Sequence, residues 1–415
     1  MPLKRQVLRS AFRLPPAAFI LSVPAGIVAR RLRKNVAIFG STGSIGCNAL
    51  QVVEHLGLPW RVVAISGHRQ PDKLLEQAKR HRPGVVVVTD DACPADCLAR
   101  LREVAGEVLT GADALEAVAR RDDVDIVLSA VVGAAGLPAT LAAVRAGKTL
   151  ALANKESLVV GGCVVIPAAR KAGATILPVD SEHSAIFQAM LAGRASEVKR
   201  VILTASGGPF RTATKERLAR ATYADALNHP TWQMGSKISI DSATMFNKGL
   251  ELIEACWLFD LPPEKIEIVV HPESIVHSMV EFIDGSTLAQ LSPPDMRTPI
   301  QYALTYPERR GGLGKTFDLS RPFSLNFEPP DPVRFPAIGL AYEVARLGGT
   351  AGAAFNAANE SAVAAFAAGR IGFPRISELV GLTIESHRVR ADPTIEDLIE
   401  TDRWARADVE ARVGV

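Results

Sequence analysis

Two carboxylates flank one serine where the apolar run ILPV gives way to DSEHSAIFQ. Asp180 and Glu182 carry like charges, which repel one another at close range unless a proton or a cation lies between them. Residues i and i+2 of a strand point the same way, so we expect both side chains to converge on one point. Such a pair either shares a proton in acid–base chemistry or holds a divalent cation.

A third carboxylate would favour the cation, and the helical stretch MFNKGLELIEACWLF offers Glu251. Lys248 and Asn247 stand three and four residues upstream, so the helical period places all three side chains on one face. We expect Asp241 and Ser242 to flank that face. Carboxylate ligands suit Mg²⁺ or Mn²⁺ rather than zinc. By spacing alone, Glu251 fits a solvated helix residue equally well.

Groups that bind anions accumulate in the same part of the sequence. Ser206 precedes a double glycine in LTASGGPFR, an arrangement suited to a backbone nest for an anion. Ser242, Asn247 and Lys248 add a hydroxyl, an amide and an ammonium group. We therefore expect a phosphate-type pocket beside the carboxylates.

The loop NHPTWQMGSK places His229, Trp232 and Met234 between a proline and a glycine. Binding loops and lids on a rigid scaffold have this profile. The alternative is that the tryptophan and the methionine belong to the core.

A dinucleotide site is indicated by VAIFGSTGSIG, in which Gly40, Gly43 and Gly46 follow a strand and open a helix. Glycines let the backbone approach a pyrophosphate, and the helix N-terminus supplies free N–H groups and a positive dipole. The spacing is GxxGxxG rather than the stricter GxGxxG, so a glycine-rich turn without a ligand is the alternative.

The end of the second strand, ISGHRQ, indicates which dinucleotide is bound. An NAD site usually carries a carboxylate there, whereas Gly67, His68 and Arg69 include none. A guanidinium can pair with a 2′-phosphate, so we predict NADPH rather than NADH; a solvated loop arginine is the alternative. A hydride donor, a divalent cation, a phosphate pocket and a lid together predict reduction of a phosphorylated hydroxy-carbonyl compound.

A doubly wound parallel sheet must position the dinucleotide groups. From Asn35 to about residue 180, apolar strands such as NVAIFG, WRVVAISG and GVVVVTD alternate with helical patterns. Beyond that point the sequence pattern predicts a mixture of strands and helices, with a hairpin at Asp284-Gly285. The tail is helical, and AFNAANESAVAAFAAG is expected to end at Gly369.

The predicted fold class is therefore α/β, with a Rossmann-like sheet, a second α+β catalytic domain and a C-terminal helical domain. The predicted bounds are a basic N-terminal extension over 1–34, an NADPH-binding domain over 35–180, a catalytic domain with the metal and substrate sites over 181–305, a linker over 306–332 and a helical domain over 333–415.

Composition excludes several other classes of protein. The chain has 415 residues, 48% hydrophobic and 22% charged, and a net charge of +3 that argues against a dedicated nucleic-acid binder. Five scattered cysteines suit a reducing compartment. The first 34 residues hold eight Lys or Arg and no acid; we expect them to be disordered or a targeting segment. Their proline-broken apolar part is too short to span a bilayer, which needs about 20 residues.

With these residues identified, the sequence closely resembles the 1-deoxy-D-xylulose 5-phosphate reductoisomerase family over essentially all of 35–415. The matching segments include GSTGSIG, LANKESLV, VDSEHSAIFQ, LTASGGPFR and HPESIVHSMVEF. The most specific is the block HPTWQMGSKISIDSATMFNKGLELIEACWLF. The resemblance implies a rearrangement of 1-deoxy-D-xylulose 5-phosphate and its reduction by NADPH to 2-C-methyl-D-erythritol 4-phosphate, with a divalent metal.

The resemblance also implies the roles of individual residues. The implied metal ligands are Asp180, Glu182 and Glu251. The implied catalytic residues are Lys155, Glu182, His229 and Glu251. The implied substrate contacts are Lys155, Ser181, Glu182, Ser206, His229, Trp232, Ser242, Asn247, Lys248 and Glu251. The expected cofactor contacts are Thr42, Gly43, Ser44, Ile45, Gly67, His68, Arg69, Asn154, Glu156 and Gly235, with Met234 and Met296 near the nicotinamide.

Members of this family are typically homodimers, so we expect a homodimer with a small-molecule sugar phosphate as substrate, and neither nucleic acid nor membrane as partner. The expected location is the cytoplasm, with organellar import through residues 1–34 left open. Two other readings stay open. One is another two-domain NADP-dependent dehydrogenase acting on a phosphorylated or carboxylated carbonyl compound. The other is a nucleotide-sensing module without turnover.

Overall fold

The computed structural model describes residues 34–232, 234–320 and 322–414. The basic extension predicted over residues 1–34 lies outside the described residues, apart from Lys34. Among the described helices, none is both long enough and apolar enough to cross a membrane.

The first half of the chain forms a seven-stranded sheet in which every pair of neighbours is parallel. The strand order is β4-β3-β2-β1-β5-β6-β7. Its strands are β1 (Lys34–Phe39), β2 (Trp60–Gly67), β3 (Val85–Val88), β4 (Glu107–Thr110), β5 (Ile126–Ser129), β6 (Thr149–Leu152) and β7 (Thr175–Pro178). The connecting helices are α1 (Ser44–Leu56), α2 (Pro71–His81), α3 (Ala95–Arg102), α4 (Asp113–Ala119), α5 (Leu137–Arg145) and α6 (Glu156–Ala172).

The sequence explains the central strands better than the edge. Strands such as β3, which reads VVVV, are fully buried, because helices cover both faces of a parallel sheet. The edge strand β4 reads EVLT and is half exposed, so it lacks the apolar run that marked the others and was not predicted. The strand order reverses at β1, which opens a crevice beyond the carboxyl ends of β1 and β5.

A second sheet has four strands in the order β11-β10-β8-β9. Strand β10 is antiparallel to β8 and β11, and β9 is parallel to β8. The strands are β8 (Val198–Ala205), β9 (Ile266–Val270), β10 (Val276–Phe282) and β11 (Thr287–Leu291). The hairpin predicted at Asp284-Gly285 is confirmed: Gly285 has φ 86°, and the Asp284 carboxylate accepts a hydrogen bond from Ser286 N–H.

Helices surround this second sheet and fill the C-terminal part of the chain. Those before residue 306 are α7 (Ser181–Met190), α8 (Lys215–Ala219), α9 (Tyr223–Leu227), α10 (Ser236–Thr244), α11 (Phe246–Phe259) and α12 (Arg297–Thr305). The later ones are α13 (Ala337–Leu347), α14 (Ala351–Ala367), α15 (Phe373–Ser386) and α16 (Ile395–Val413). Helix α14 is rich in alanine and almost wholly buried, so it is the centre of the C-terminal helices. The predicted fold class is confirmed.

Candidate active site

One cleft receives residues from both sheets. It is bounded by the first turn of α1, the segments after β6 and β7, the end of β8, the loop before α10, and the cleft face of α11. The predicted residues that line it are Ser44, Ile45, Lys155, Asp180, Ser181, Glu182, Ser206, His229, Trp232, Met234, Gly235, Ser242, Asn247, Lys248, Glu251 and Met296. Part of the predicted cofactor set therefore shares one space with the predicted metal and phosphate groups.

Asp180 and Glu182 converge for a different reason from the one the sequence suggested. The strand argument is wrong, because β7 ends at Pro178 and Asp180 is the N-cap of α7. Glu182 lies in the first helical turn, and the two carboxylates reach the same point as Glu251. Carboxylate oxygens of all three residues lie within 4.8 Å of one another.

Two ammonium groups lie among these carboxylates. Lys155 Nζ is 2.7 Å from Asp180 Oδ2 and 3.2 Å from Glu251 Oε1, and Lys248 Nζ is 2.8 Å from Glu182 Oε1 and also contacts Glu251. Lys155 further donates to Asn247 Oδ1 at 2.8 Å. The cluster thus carries three potential anionic ligands held by two cations, on three separate elements of the fold.

Burial and the neighbouring charges together set the protonation of this cluster. Glu251 is 1% exposed, and burial together with the nearby Glu182 charge raises its pKa to about 7, against the opposing effect of the two lysines. Burial also acts against ionisation of Asp180, but Lys155 and His183 outweigh it and hold the pKa of Asp180 below its usual range. A divalent cation in the cluster would favour the ionised form of every carboxylate.

The anion-binding groups gather at the end of β8. Gly207 and Gly208 have φ of 81° and 65°, and Gly208 N–H donates to Ser206 Oγ at 3.2 Å. A Cβ on Gly208 would lie 2.6 Å from the Ser242 carbonyl oxygen, so the turn packs directly on α10. Ser242 itself lines the cleft, whereas Asp241 points away and is buried. Helix α10 is separate from α11, because Met245 between them adopts φ 65°. The expectation that Asp241 flanks the Glu251 face is therefore wrong.

His229 organises the start of the predicted lid. Its Nδ1 accepts from Thr231 N–H at 3.1 Å and from Trp232 N–H at 2.9 Å. Because Nδ1 is an acceptor, the neutral ring carries its proton on Nε2, which donates to Ser206 Oγ at 2.9 Å. Burial lowers the pKa of His229, which favours this neutral form.

The glycine turn is shaped as the cofactor prediction requires. Gly40 has φ 79°, and a Cβ there would lie 2.5 Å from the Ala130 carbonyl oxygen. Ser66 at the end of β2 accepts from Gly40 N–H through Oγ at 2.8 Å, which holds the turn against that strand. Helix α1 begins with no side-chain cap and no acidic residue in its first turn, so its N-terminus is free for an anion.

Seven predicted cofactor residues are not part of the cleft lining. His68 and Arg69 are exposed just beyond the end of β2, and Asn154 and Glu156 are buried and hydrogen-bonded to each other. For all seven residues, the contact with a cofactor stays a prediction. The seven are Thr42, Gly43, Gly67, His68, Arg69, Asn154 and Glu156.

Sequence reasoning missed three groups in and behind the cleft. His277 and Ser274 line it from the HPESIVH stretch, whose residues carry no spacing that indicates a role. Ser274 has φ 51° and a buried Oγ without a hydrogen-bond partner. Behind α11, His183 Nδ1 lies 3.1 Å from Glu254 Oε2, and the two were separated by too many residues to be paired from sequence.

Comparison with known proteins identifies the family. A family model described as 1-deoxy-D-xylulose 5-phosphate reductoisomerase matches residues 36–162, and models of the C-terminal domains of the same enzyme match 176–259 and 291–408. A relative of that name from Rhodopirellula baltica is 48% identical over 93% of this chain and 96% of its own length. The chain belongs to the 1-deoxy-D-xylulose 5-phosphate reductoisomerase family.

Other reductoisomerases agree in sequence and in fold. The relative from Caulobacter vibrioides is 50% identical over 89% of this chain and 92% of its own length. The enzyme of Zymomonas mobilis, solved in complex with NADPH, is 45% identical and superposes with a TM-score of 0.86 over 92% of this chain and 99% of its own. A reductoisomerase solved with NADPH, fosmidomycin and magnesium is 41% identical, with a TM-score of 0.86 over 92% and 98%.

These findings confirm the resemblance that the sequence motifs suggested. They also select the reductoisomerase over the two alternatives, another NADP-dependent dehydrogenase and a nucleotide-sensing module. The reason is that the family models match nearly the whole described chain rather than the nucleotide-binding half alone.

Proposed function

We propose that this protein converts 1-deoxy-D-xylulose 5-phosphate into 2-C-methyl-D-erythritol 4-phosphate, using NADPH and a divalent metal ion. This is an early step of non-mevalonate isoprenoid precursor synthesis. The observation that carries the proposal is the convergence of Asp180, Glu182 and Glu251 in a cleft that also reaches the start of α1. A reductoisomerase needs a cation site and a hydride donor in one space.

The cofactor proposed is NADPH, the dinucleotide named in two of the related structures. The free N-terminus of α1 and the glycine turn before it would hold the pyrophosphate. Arg69 is exposed two residues beyond the end of β2 and would pair with the 2′-phosphate. Ser44, Ile45, Gly235 and Met296 line the cleft where the nicotinamide would lie.

The metal proposed is Mg²⁺ or Mn²⁺, held by Asp180, Glu182 and Glu251. The donor set fits, since hard cations prefer carboxylate oxygens and three of these lie within 4.8 Å. A bound ion would act as a Lewis acid on the substrate's carbonyl oxygen. Lys155 and Lys248 already contact all three ligands, so they would hold the carboxylates in place and balance their charge.

The phosphate of the substrate would lie against Ser206, His229, Ser242, Asn247 and Lys248. These side chains offer hydroxyl, imidazole, amide and ammonium donors from the end of β8, the lid and two helices. Ser181 and Lys155 line the same cleft. Trp232, on the lid, would cover the carbon chain and exclude water while the hydride passes from NADPH to the aldehyde carbon.

A homodimer is the proposed assembly. Strand β11 is the outer strand of the second sheet, and Leu288 and Leu291 on it are 40% and 39% exposed. An uncovered edge strand presents unpaired backbone groups to a partner, and two-fold symmetry lets the same edge pair with itself. Light scattering of the purified protein should give about twice the mass of one chain.

We also propose domain boundaries at about residues 180, 305 and 332, from the bounds of the sheets and helices. The first sheet ends at Pro178, the second sheet and α12 end by Thr305, and the described residues of 306–332 hold no helix or strand. A cytoplasmic location is proposed because the relatives named above are bacterial.

The experiment that tests the function is NADPH oxidation followed optically with 1-deoxy-D-xylulose 5-phosphate and Mg²⁺, with and without a chelator. Oxidation that requires both the sugar phosphate and the metal is expected. Oxidation that survives the chelator would favour a metal-independent dehydrogenase. A folded protein that is silent with every component present would refute the proposal.

A further inference from the structure

A second group of buried charges lies beside the cleft, at the start of α10. Lys237 Nζ is 2.6 Å from Asp241 Oδ2 and 3.0 Å from Glu156 Oε1. Glu156 and Asp241 are 5% and 1% exposed, so each is a buried carboxylate that depends on the ammonium. Unpaired, such a charge would be strongly disfavoured in the protein interior.

The pKa values describe the same dependence. Burial alone would lower the pKa of Lys237, but Asp241 and Glu156 outweigh it and raise that pKa above its usual range. Burial would raise the pKa of Glu156, but Lys237 reverses this and lowers it. The two carboxylates therefore favour the charged form of Lys237.

On one side the group reaches the cofactor end of the cleft. Glu156 Oε2 accepts from Asn154 Nδ2 at 3.0 Å, and the same amide donates to the carbonyl oxygens of Val131 and Gly133 at 2.6 and 2.9 Å. Those carbonyls belong to the segment after β5, which packs against the glycine turn at Gly40. Two side chains thus connect Lys237 to the wall of the dinucleotide crevice.

On the other side the group holds the helix that follows the lid. Helix α10 starts directly after the lid, with Gly235 as its N-cap. Asp241 Oδ1 accepts from Asn359 Nδ2 at 2.8 Å, which fixes α10 against α14. Gly235 and Ser242 both line the cleft, so the position of α10 sets the lid end and part of the phosphate pocket together.

We propose that Lys237 is a positioning residue that couples the dinucleotide side of the cleft to closure of the lid. In the structure, the contact of the ammonium with Glu156 joins α10 to the turn that carries Asn154. A cofactor that orders this turn therefore favours the position of α10 that completes the phosphate pocket, and by linkage the pocket's ligand favours the cofactor to the same extent. The inference rests on the proposed function, because it names what the coupling serves.

The test measures coupling by binding alone. The probe for the substrate pocket is fosmidomycin, the ligand named in one related structure, titrated calorimetrically at fixed Mg²⁺ with and without NADPH. In the unaltered protein we expect NADPH to tighten fosmidomycin binding by about tenfold or more. In Lys237→Met the ratio should fall below about threefold, and Lys237→Arg, which keeps the charge, should restore most of it.

The control is Lys199→Met, which removes a lysine from another lysine–glutamate pair, 2.6 Å from Glu281 and outside the cleft. It should keep the full ratio. If Lys237→Met does not fold, Lys237→Met/Asp241→Asn replaces it, since the new amide can still accept from Asn359 and one buried charge fewer is left unpaired; thermal unfolding verifies the fold.

Two results would overturn the proposal. One is a ratio near one in the unaltered protein, and the other is an unchanged ratio in folded Lys237→Met or in the folded double variant that replaces it. Neither depends on turnover, so the absence of NADPH oxidation with the sugar phosphate would refute the proposed function separately.

Discussion

The ammonium nitrogen of Lys155 lies 3.2 Å from Glu251 Oε1, joining the turn before α6 to a helix 96 residues later. The lysine thus occupies one corner of a carboxylate cluster whose other cation is Lys248. Two lysines already balance part of the charge of the three carboxylates. Removing one carboxylate should therefore weaken cation binding, while the two that remain keep an ammonium partner. A substitution of Glu251 is therefore the most direct test of the metal site.

Glu251→Gln should reduce turnover by more than about 100-fold, since even residues that only support metal ligands cost 10–100-fold. Binding of Mn²⁺, measured calorimetrically, should weaken in parallel, while NADPH binding followed by fluorescence should stay close to that of the unaltered protein. Glu264→Gln is the matched control, because Glu264 is 60% exposed in a pair with Arg346. Full activity in Glu251→Gln would refute the metal assignment.

Arg69→Ala should raise the KM for NADPH by about tenfold or more and leave the KM for NADH nearly unchanged. The physical reason is that only NADPH has a 2′-phosphate for the guanidinium to bind, in a charge-assisted bond of about 1.5–3 kcal/mol. Arg61, which is exposed on β2 at its other end, provides the control Arg61→Ala. Equal losses for both dinucleotides would show that Arg69 does not contact the 2′-phosphate.

Activity should fall on the acid side because of His229. Its ring must accept two backbone N–H groups through Nδ1, and protonation of Nδ1 abolishes both bonds and loosens the lid. Burial lowers the pKa of His229, so the folded chain binds this proton less readily than the unfolded chain, and stability also rises with pH across the interval between the two pKa values. We therefore expect kcat/KM for the sugar phosphate to decline with a midpoint below the ordinary histidine pKa of about 6.5.

His229→Asn tests the origin of that decline. Its amide oxygen can accept from Thr231 and Trp232 but does not titrate, so the acid limb should flatten even though the overall rate is lower. An acid limb of unchanged midpoint in this variant would assign the pH dependence to another group.

Much of the fold could be predicted because periodicity reports burial. The buried strand β3 is a run of valines, and the hairpin turn is an Asp-Gly pair, so pattern and structure agree. Elements whose burial is incomplete carry weaker patterns, which is why the half-exposed β4 was missed. Helix α10 was not predicted either; the positive φ of Met245, a residue that does not favour that conformation, separates it from α11.

The residues of the candidate site also fall into two groups: those that local sequence patterns predict and those that only the folded structure brings together. Local spacing was enough to select Asn247, Lys248 and Glu251, which do share a helix face. Partners that are distant in the chain leave no local pattern, so the pairing of Lys237 with Glu156, 81 residues apart, appears only in three dimensions. Asp180 and Glu182 were selected for a wrong local reason, since a helix N-cap and a strand end look alike in sequence.

Gly208 offers a final prediction, because it combines a conformational and a steric requirement. Its φ is 65°, and a Cβ would lie 2.6 Å from the Ser242 carbonyl oxygen. Gly285 also has a positive φ, 86°, but a Cβ there meets nothing within 4 Å. Both alanine variants should lose about 1–2 kcal/mol from the left-handed backbone, and Gly208→Ala should lose more.

The two variants should differ most in substrate binding. Gly208→Ala pushes the end of β8 away from α10, which separates Ser206 from Ser242 and should raise the KM for the sugar phosphate about tenfold or more, since a displacement near 1 Å in a positioned site is costly. Gly285→Ala lies in the remote hairpin and should leave that KM unchanged. Steady-state kinetics on both, alongside thermal unfolding, decide the matter: equal KM values would mean that the double-glycine turn does not shape the phosphate pocket.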